Sequence, residues 1–171
     1  MGIINIRWVQ PRDYGPMSHI EKRSFEYPWS YMDFWKCLNS NPGVIVEMNG
    51  VPVGYMIYSS KRSKIDIINL AVIPICRRCG LGSLLITLLM SKLLSGSQDG
   101  IEAIVRERNL GAQMILASPR HRFRCIDILH NFYSDSPEDA YLMWRRKSVY
   151  REVVTSAHYW HAHKQVQLLS L

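Results

Sequence analysis

The residues with the clearest chemical potential are Arg77, Arg78, Cys79, Gly80, Leu81 and Gly82, a basic, glycine-punctuated turn inside NLAVIPICRRCGLGSLLITLL at 69–89. The apolar stretch before it, ending Leu70-Ala71-Val72, reads as a strand closed by Pro74, and an amphipathic helix begins near Ser83. The first turn of a helix carries unpaired N–H donors and a partial positive charge, so it attracts anions. Two glycines let the backbone approach a ligand and two arginines add charge. The turn therefore reads as a pyrophosphate cradle; the bland alternative is a plain strand–turn–helix connection with glycine for geometry. The dinucleotide fingerprint needs a third glycine and the P-loop needs a lysine after the last glycine, and neither is present here.

Other reactive side chains point less clearly. Cys37, Cys76, Cys79 and Cys125 make no disulfide framework in a chain this long. Cys76-x-x-Cys79 lacks the second ligand pair of a zinc site and reads as incidental thiols. His158-x-x-His161-x-His163 lies in a polar tail without a nearby carboxylate and offers only a weak metal option, so no metal is expected.

The elements that must position the turn fit one domain. The chain has 171 residues, 47% of them hydrophobic, enough for one real core. No apolar run approaches the ~20 residues of a membrane span, and the N-terminus lacks secretory and myristoylation signals, so a soluble, cytoplasmic protein is expected. The net charge of +7 favours anionic partners such as a nucleotide cofactor, a ribonucleoprotein or an acidic peptide. Aromatics do not alternate with Arg and Lys in an RNA-binding pattern, so direct nucleic-acid binding is a minority reading.

Periodicity and turn signals give strands at 3–9, 44–48, 51–59, 64–72, 101–106, 123–129 and 141–146. Helices are expected at 12–25, at 30–38 with Ser30 as cap, at 82–94, and at 110–117. Asn49-Gly50 marks a hairpin and Tyr27-Pro28-Trp29-Ser30 breaks the first helix. This order predicts an α/β (α+β) fold with a mixed, mostly antiparallel central sheet flanked by helices. Residues 1–146 form the domain and 147–171 a tail or peripheral helix.

The R-x-x-G-x-G turn, Arg77, Gly80 and Gly82, resembles the acetyl-CoA pyrophosphate turn of the GNAT (Gcn5-related N-acetyltransferase) superfamily. The likeness is strongest to the RimI-type ribosomal-protein alanine N-acetyltransferases. Phe25-Glu26-Tyr27-Pro28-Trp29-Ser30, Asn69-Leu70-Ala71-Val72, Arg78-Cys79-Gly80-Leu81-Gly82, Val105-Arg106-Glu107-Arg108-Asn109, and Asn131-Phe132-Tyr133 with Glu138-Asp139-Ala140 resemble their motifs in the same order.

The resemblance implies acetyl transfer from acetyl-CoA to an amine, with the N-terminal α-amine of a protein, a ribosomal one included, as leading acceptor. It implies that Leu70, Ala71, Val72, residues 77–82, Ser83 and Asn109 bind the cofactor, with the Val72 N–H as oxyanion contact. Asn109 could equally be a helix cap. Trp29 and Tyr133 would shape the acceptor groove. The family's acid and base do not transfer, because Ile104 and Leu116 stand at their positions. Asp66 stands where related histone acetyltransferases carry a glutamate, Glu102 shares a strand face with Ile104, and Tyr133 stands beside the expected peptide site, so these three are the substitute catalytic candidates. Two rival readings are a small-molecule or lysine acetyltransferase and a degenerate domain that binds acetyl-CoA without turnover.

Overall fold

The computed structural model describes residues 2–147 and 166–168. The chain order is β1 (Ile4–Trp8), α1 (Tyr14–Ser24), α2 (Tyr31–Leu38), β2 (Gly43–Met48), β3 (Val51–Ser60), β4 (Lys64–Val72), α3 (Leu81–Ser95), β5 (Gly100–Arg106), α4 (Leu110–Ala117), β6 (Arg124–Leu129), β7 (Ala140–Arg146) and β8 (Val166–Leu168). A short 3-10 turn, Pro11–Asp13, leads into α1.

Local chemistry explains the boundaries. Ser30 and Asp33 form a reciprocal cap at the start of α2: the Ser30 Oγ accepts from the Asp33 N–H, and the Asp33 carboxylate accepts from the Ser30 N–H at 2.8 Å. Asn49 (φ 53°) and Gly50 (φ 78°) both take the left-handed conformation that a two-residue hairpin needs between β2 and β3. Arg7 grips both carboxylate oxygens of Asp13, at 2.7 and 2.8 Å, and Glu47 at 2.6 Å, which ties the entry of α1 to β1 and β2.

The strands form one sheet in the order β6-β7-β5-β4-β3-β2-β1-β8. All pairs are antiparallel except β4–β5 and β1–β8. Two apolar cores sit on opposite faces. On one, α3 and α4 bury Leu85, Ile86, Leu89 and Leu116 against Ile65, Met56, Ile101 and Ala103. On the other, α1 and α2 bury Met17, Ile20 and Phe34 against Ile45, Tyr55, Ile57 and Ala71. The alternation of Tyr55 and Ile57 with Met56 and Tyr58 along β3 serves both. The helix at α3 is buried around most of its circumference rather than along a single stripe, so it is less amphipathic than its sequence suggests.

Two irregularities in β4 shape the end of the sheet that faces the basic turn. Its register with β3 passes from Ile57↔Asn69 to Tyr58↔Ile67, leaving Ile68 as an extra, bulged residue. Its pairing with β5 ends at Ile67↔Ala103, so the two parallel strands separate beyond that point. The expectation for 147–171, including the histidine group at 158–163, falls largely outside the described residues; within it, Lys147 and the short strand β8 are described.

Candidate active site

The split between β4 and β5 opens directly onto the basic turn. In an antiparallel pair, successive residues direct their N–H and C=O groups to alternate edges. The Ile73 N–H donates to the Val53 carbonyl across the β3–β4 pair. The backbones of Val72 and Leu70 therefore face the other edge, which β5 has left. Ala71 faces β3 instead, and its methyl group is buried beneath α1. Of the three strand residues expected at the cofactor, two thus present donors to the open edge.

The turn after β4 has the geometry of an anion cradle. Arg78 (φ 61°) and Gly80 (φ 83°) are left-handed, and Gly80 is the residue before the first turn of α3. Leu81, Gly82 and Ser83 then begin a fifteen-residue helix, with the Leu81 side chain buried in the core. Gly82 is also a packing residue: a Cβ there would lie 3.1 Å from Ile115 Cδ1 on α4. The Arg77 side chain turns back to the strand, donating from Nε to the Val72 carbonyl at 3.0 Å. It latches the turn to the end of β4, whereas Cys79 is exposed.

The stretch after α4 folds back onto this helix start. Buried His121 has Nε2 3.0 Å from Ser83 Oγ and Nδ1 2.7 Å from the Ile115 carbonyl. Asn109 caps α4, its Oδ1 accepting from the Ala112 N–H at 3.1 Å.

The catalytic candidates occupy different places. Asp66 and Glu102 are neighbours across the closed part of the β4–β5 pair and share Lys64. Asp66 also holds Lys61 at 2.5 Å and accepts from Ser59. Burial works to raise the Asp66 carboxyl, but the bonds from Lys61 and Lys64 outweigh it and hold the group below the usual range. Tyr133 lies elsewhere, on the β6–β7 connection. Its ring is 3.6 Å from the Arg106 guanidinium, which also lies 4.9 Å from the Tyr27 ring. Burial raises the Tyr133 phenol and outweighs the opposing pull of Arg106, so its hydroxyl stays protonated. Arg106 is further held by Asp135 at 2.6 Å and Glu138 at 3.2 Å. Trp29 is partly buried and packs against Phe34 at 5.5 Å, so its ring belongs in part to the second core.

Sequence reasoning did not single out Glu21 or Tyr27. Glu21 is buried on α1 and receives bonds from Trp29, Tyr55 and Asn69. Its signal was present: Met17, Ile20 and Glu21 share one helix face, which puts a carboxylate on an apolar stripe.

An open strand edge running into a glycine-punctuated helix start is a geometry suited to an extended ligand that ends in phosphate. Residues 4–116 match the acetyltransferase (GNAT) family, and the chain belongs to it. It is 30% identical over 146 residues to an uncharacterised N-acetyltransferase of Methanocaldococcus jannaschii, covering 83% of this chain and 91% of that protein. The ribosomal-protein-S18-alanine N-acetyltransferase of Escherichia coli superposes with a TM-score of 0.77 at 26% identity, over 88% of this chain and 97% of that one. Arabidopsis thaliana NAA60, solved with acetyl-CoA, has the same fold, with a TM-score of 0.70 at 21% identity over 84% and 99%. The protein is thus an N-acetyltransferase of a family that uses acetyl-CoA. The residues present fit that molecule: Leu70 and Val72 offer the open edge, and left-handed Gly80 turns the chain into the α3 start.

Among the described residues no group of three or more His, Cys, Asp or Glu side chains is placed to hold a metal ion. No described helix is long and apolar enough to cross a membrane.

Proposed function

We propose that this protein acetylates the N-terminal α-amine of a protein in the cytoplasm, with a ribosomal protein as a candidate acceptor. The observation that carries the reading is Arg106. It stands at the end of β5, beside the mouth of the split, and contacts Tyr27 from the α1–α2 loop and Tyr133 from the β6–β7 connection. Arg106 thus brings the two segments together beside the open edge of β4, and the acceptor would enter there. The E. coli relative, an alanine N-acetyltransferase acting on ribosomal protein S18, supports this choice of acceptor.

When bound, acetyl-CoA supplies an acetyl group activated as a thioester. The first turn of α3 holds the phosphate end. The Val72 N–H would hold the thioester oxygen and counter negative charge there, while the Leu70 N–H, one strand repeat (about 6.6 Å) away on the same edge, would face the pantetheine arm. The Tyr27 and Tyr133 side admits the acceptor. Asp66 and Glu102, the carboxylates considered as base, are paired with Lys61 and Lys64 in the closed part of the sheet. An α-amine has a pKa of about 8, so an appreciable fraction is already neutral at physiological pH. The protonated Tyr133 hydroxyl would donate to a carbonyl of the acceptor, leaving the amine lone pair free, and the proton lost by the nitrogen would leave with the departing thiolate as CoA thiol.

A second reading has its own observation. Ile104 is 40% exposed and Leu116 is buried, so the two positions the family resemblance marks for acid and base carry apolar side chains. A domain that binds acetyl-CoA without turnover would look the same there. Mass spectrometry of products from acetyl-CoA with free-N-terminal peptides, Nα-blocked lysine peptides and polyamines separates these. The proposal expects α-amine products; acetylation confined to lysines or polyamines, or cofactor binding with no product, would replace it.

A further inference from the structure

We infer that Glu21 is a positioning residue that sets the acceptor loop against the cofactor strand; this rests on the acceptor site proposed above. Glu21 is only 1% exposed, and its bonding partners are neutral donors rather than cations. Its Oε1 accepts from the Trp29 backbone N–H at 3.1 Å and from Asn69 Nδ2 at 3.2 Å, while Oε2 accepts from the Tyr55 hydroxyl. One carboxylate therefore joins four segments: α1, the α1–α2 loop, β3 and β4.

Each of these donors has a meaningful address. Trp29 lies two residues beyond Tyr27, whose ring meets Arg106 beside the open edge of β4. Asn69 directly follows the bulged Ile68 and directly precedes Leu70, whose backbone faces the split. The Glu21 carboxylate is thus a fixed point between the wall that meets the acceptor and the edge that meets the thioester. Asn69, which the family resemblance groups with the cofactor motif, turns its side chain to this glutamate.

The chemistry explains why a carboxylate serves. Two oxygens can accept from three donors on three different segments at once, which no apolar residue can do. A buried ionisable group without a countercharge is an expensive way to fill a core, and apolar replacement of such groups is often tolerated or stabilising. Burial raises the Glu21 carboxyl and its three donors work against that rise. The arrangement orders a loop that a purely apolar contact would leave free to slide.

The test compares Glu21→Gln, Glu21→Ala and Tyr55→Phe with the parent protein. Acetyl-CoA affinity is read by calorimetry, acceptor KM and kcat with a free-N-terminal peptide, and loop order by hydrogen exchange at the Trp29 amide. Glutamine keeps one oxygen for Trp29 and Asn69, and its amide can donate to the Tyr55 oxygen. Glu21→Gln should therefore retain Trp29 protection and acceptor KM. Glu21→Ala should raise acceptor KM by about tenfold or more, since it removes three bonds to a buried charged acceptor. It should also speed Trp29 exchange and leave acetyl-CoA affinity within about threefold. Tyr55→Phe, which keeps the carboxylate and two of its donors, should give a smaller change in the same direction and decides the matter if the alanine variant does not fold. Unchanged acceptor KM in Glu21→Ala or Tyr55→Phe, or an equal loss of acetyl-CoA affinity, would overturn the inference. Failure of the proposed function shows differently, as no acetyl transfer to the peptide by the parent protein.

Discussion

Ser83 and His121 meet at 3.0 Å, joining the first turn of α3 to the basic stretch after α4. The Ile115 carbonyl, 2.7 Å from Nδ1, can only accept, so Nδ1 carries the ring proton. In a neutral ring Nε2 is then the acceptor, and the Ser83 hydroxyl donates to it. That hydroxyl proton is unavailable to a phosphate. On the proposed reading, the backbone N–H groups of the α3 start would hold the anion instead.

Ser83→Ala should accordingly change acetyl-CoA affinity by less than about threefold, while Gly80→Ala should weaken it by about tenfold or more. The left-handed conformation of Gly80 costs an alanine roughly 1–2 kcal/mol, and relief of that strain moves the N–H groups of the helix start. Calorimetric titration of both variants checks the contrast. Equal losses in the two would contradict a backbone cradle.

His121 also carries a pH signature. Burial, with Arg120 and Arg145 adding repulsion, depresses its folded pKa below the ordinary value of 6.5. Above 6.5 the imidazole is neutral in both folded and unfolded chains and costs no stability. As pH falls below 6.5 the unfolded chain binds the proton first, so stability declines until the folded pKa is passed. Thermal melts from pH 7.5 to 5 should show a steeper fall in Tm for the parent protein than for His121→Gln. Parallel curves would mean that His121 does not titrate this way.

On the proposed acceptor side, Tyr133→Phe keeps the ring against Arg106 and removes the hydroxyl, whereas Tyr133→Ala removes both. With the hydroxyl as donor to the acceptor, Phe should raise peptide KM several-fold, on the order of the 0.5–1.5 kcal/mol of one hydrogen bond. Alanine should raise it further, because Arg106 loses a ring and the β6–β7 connection loses a contact. Steady-state kinetics with saturating acetyl-CoA distinguish the two effects.

Asp66 and Glu102 give a prediction about pH and rate. If the acceptor arrives neutral, kcat/KM for the peptide should rise with pH and level near the amine pKa of about 8. That limb should persist in Asp66→Asn and Glu102→Gln, because both carboxylates are occupied by Lys64. Its loss in either variant would assign the missing base to that carboxylate.

Much of this organisation was legible in the sequence. The strand at Lys64–Val72 and the helix at Leu110–Ala117 fall where periodicity and turn chemistry put them, because Pro74, Asn109 and Asn49-Gly50 are strong local signals. The turn at 77–82 was readable for the same reason. The bulge at Ile68 and the parting of β4 from β5 after Ile67 were not. Both arise from pairing between distant segments, and neither leaves a mark on composition. The partners of Asp66 and Glu102 were hidden likewise, since Lys64 sits two residues from one and 38 from the other. Arg77 read as a cofactor ligand from its charge and from the R-x-x-G-x-G turn; what the sequence did not show is that its Nε donates to the Val72 carbonyl.

In the proposed function, the open edge of β4 and the start of α3 together form the acetyl-CoA site. Backbone amide NMR during an acetyl-CoA titration tests it most directly. The predicted result is saturable shifts at the amides of Leu70, Val72, Leu81, Gly82 and Ser83, with Lys64 and Glu102 at the closed end little affected. Shifts that left these five amides in place and clustered elsewhere, for example between Trp8, Tyr58 and Lys92 near the C-terminal end of α3, would contradict the site.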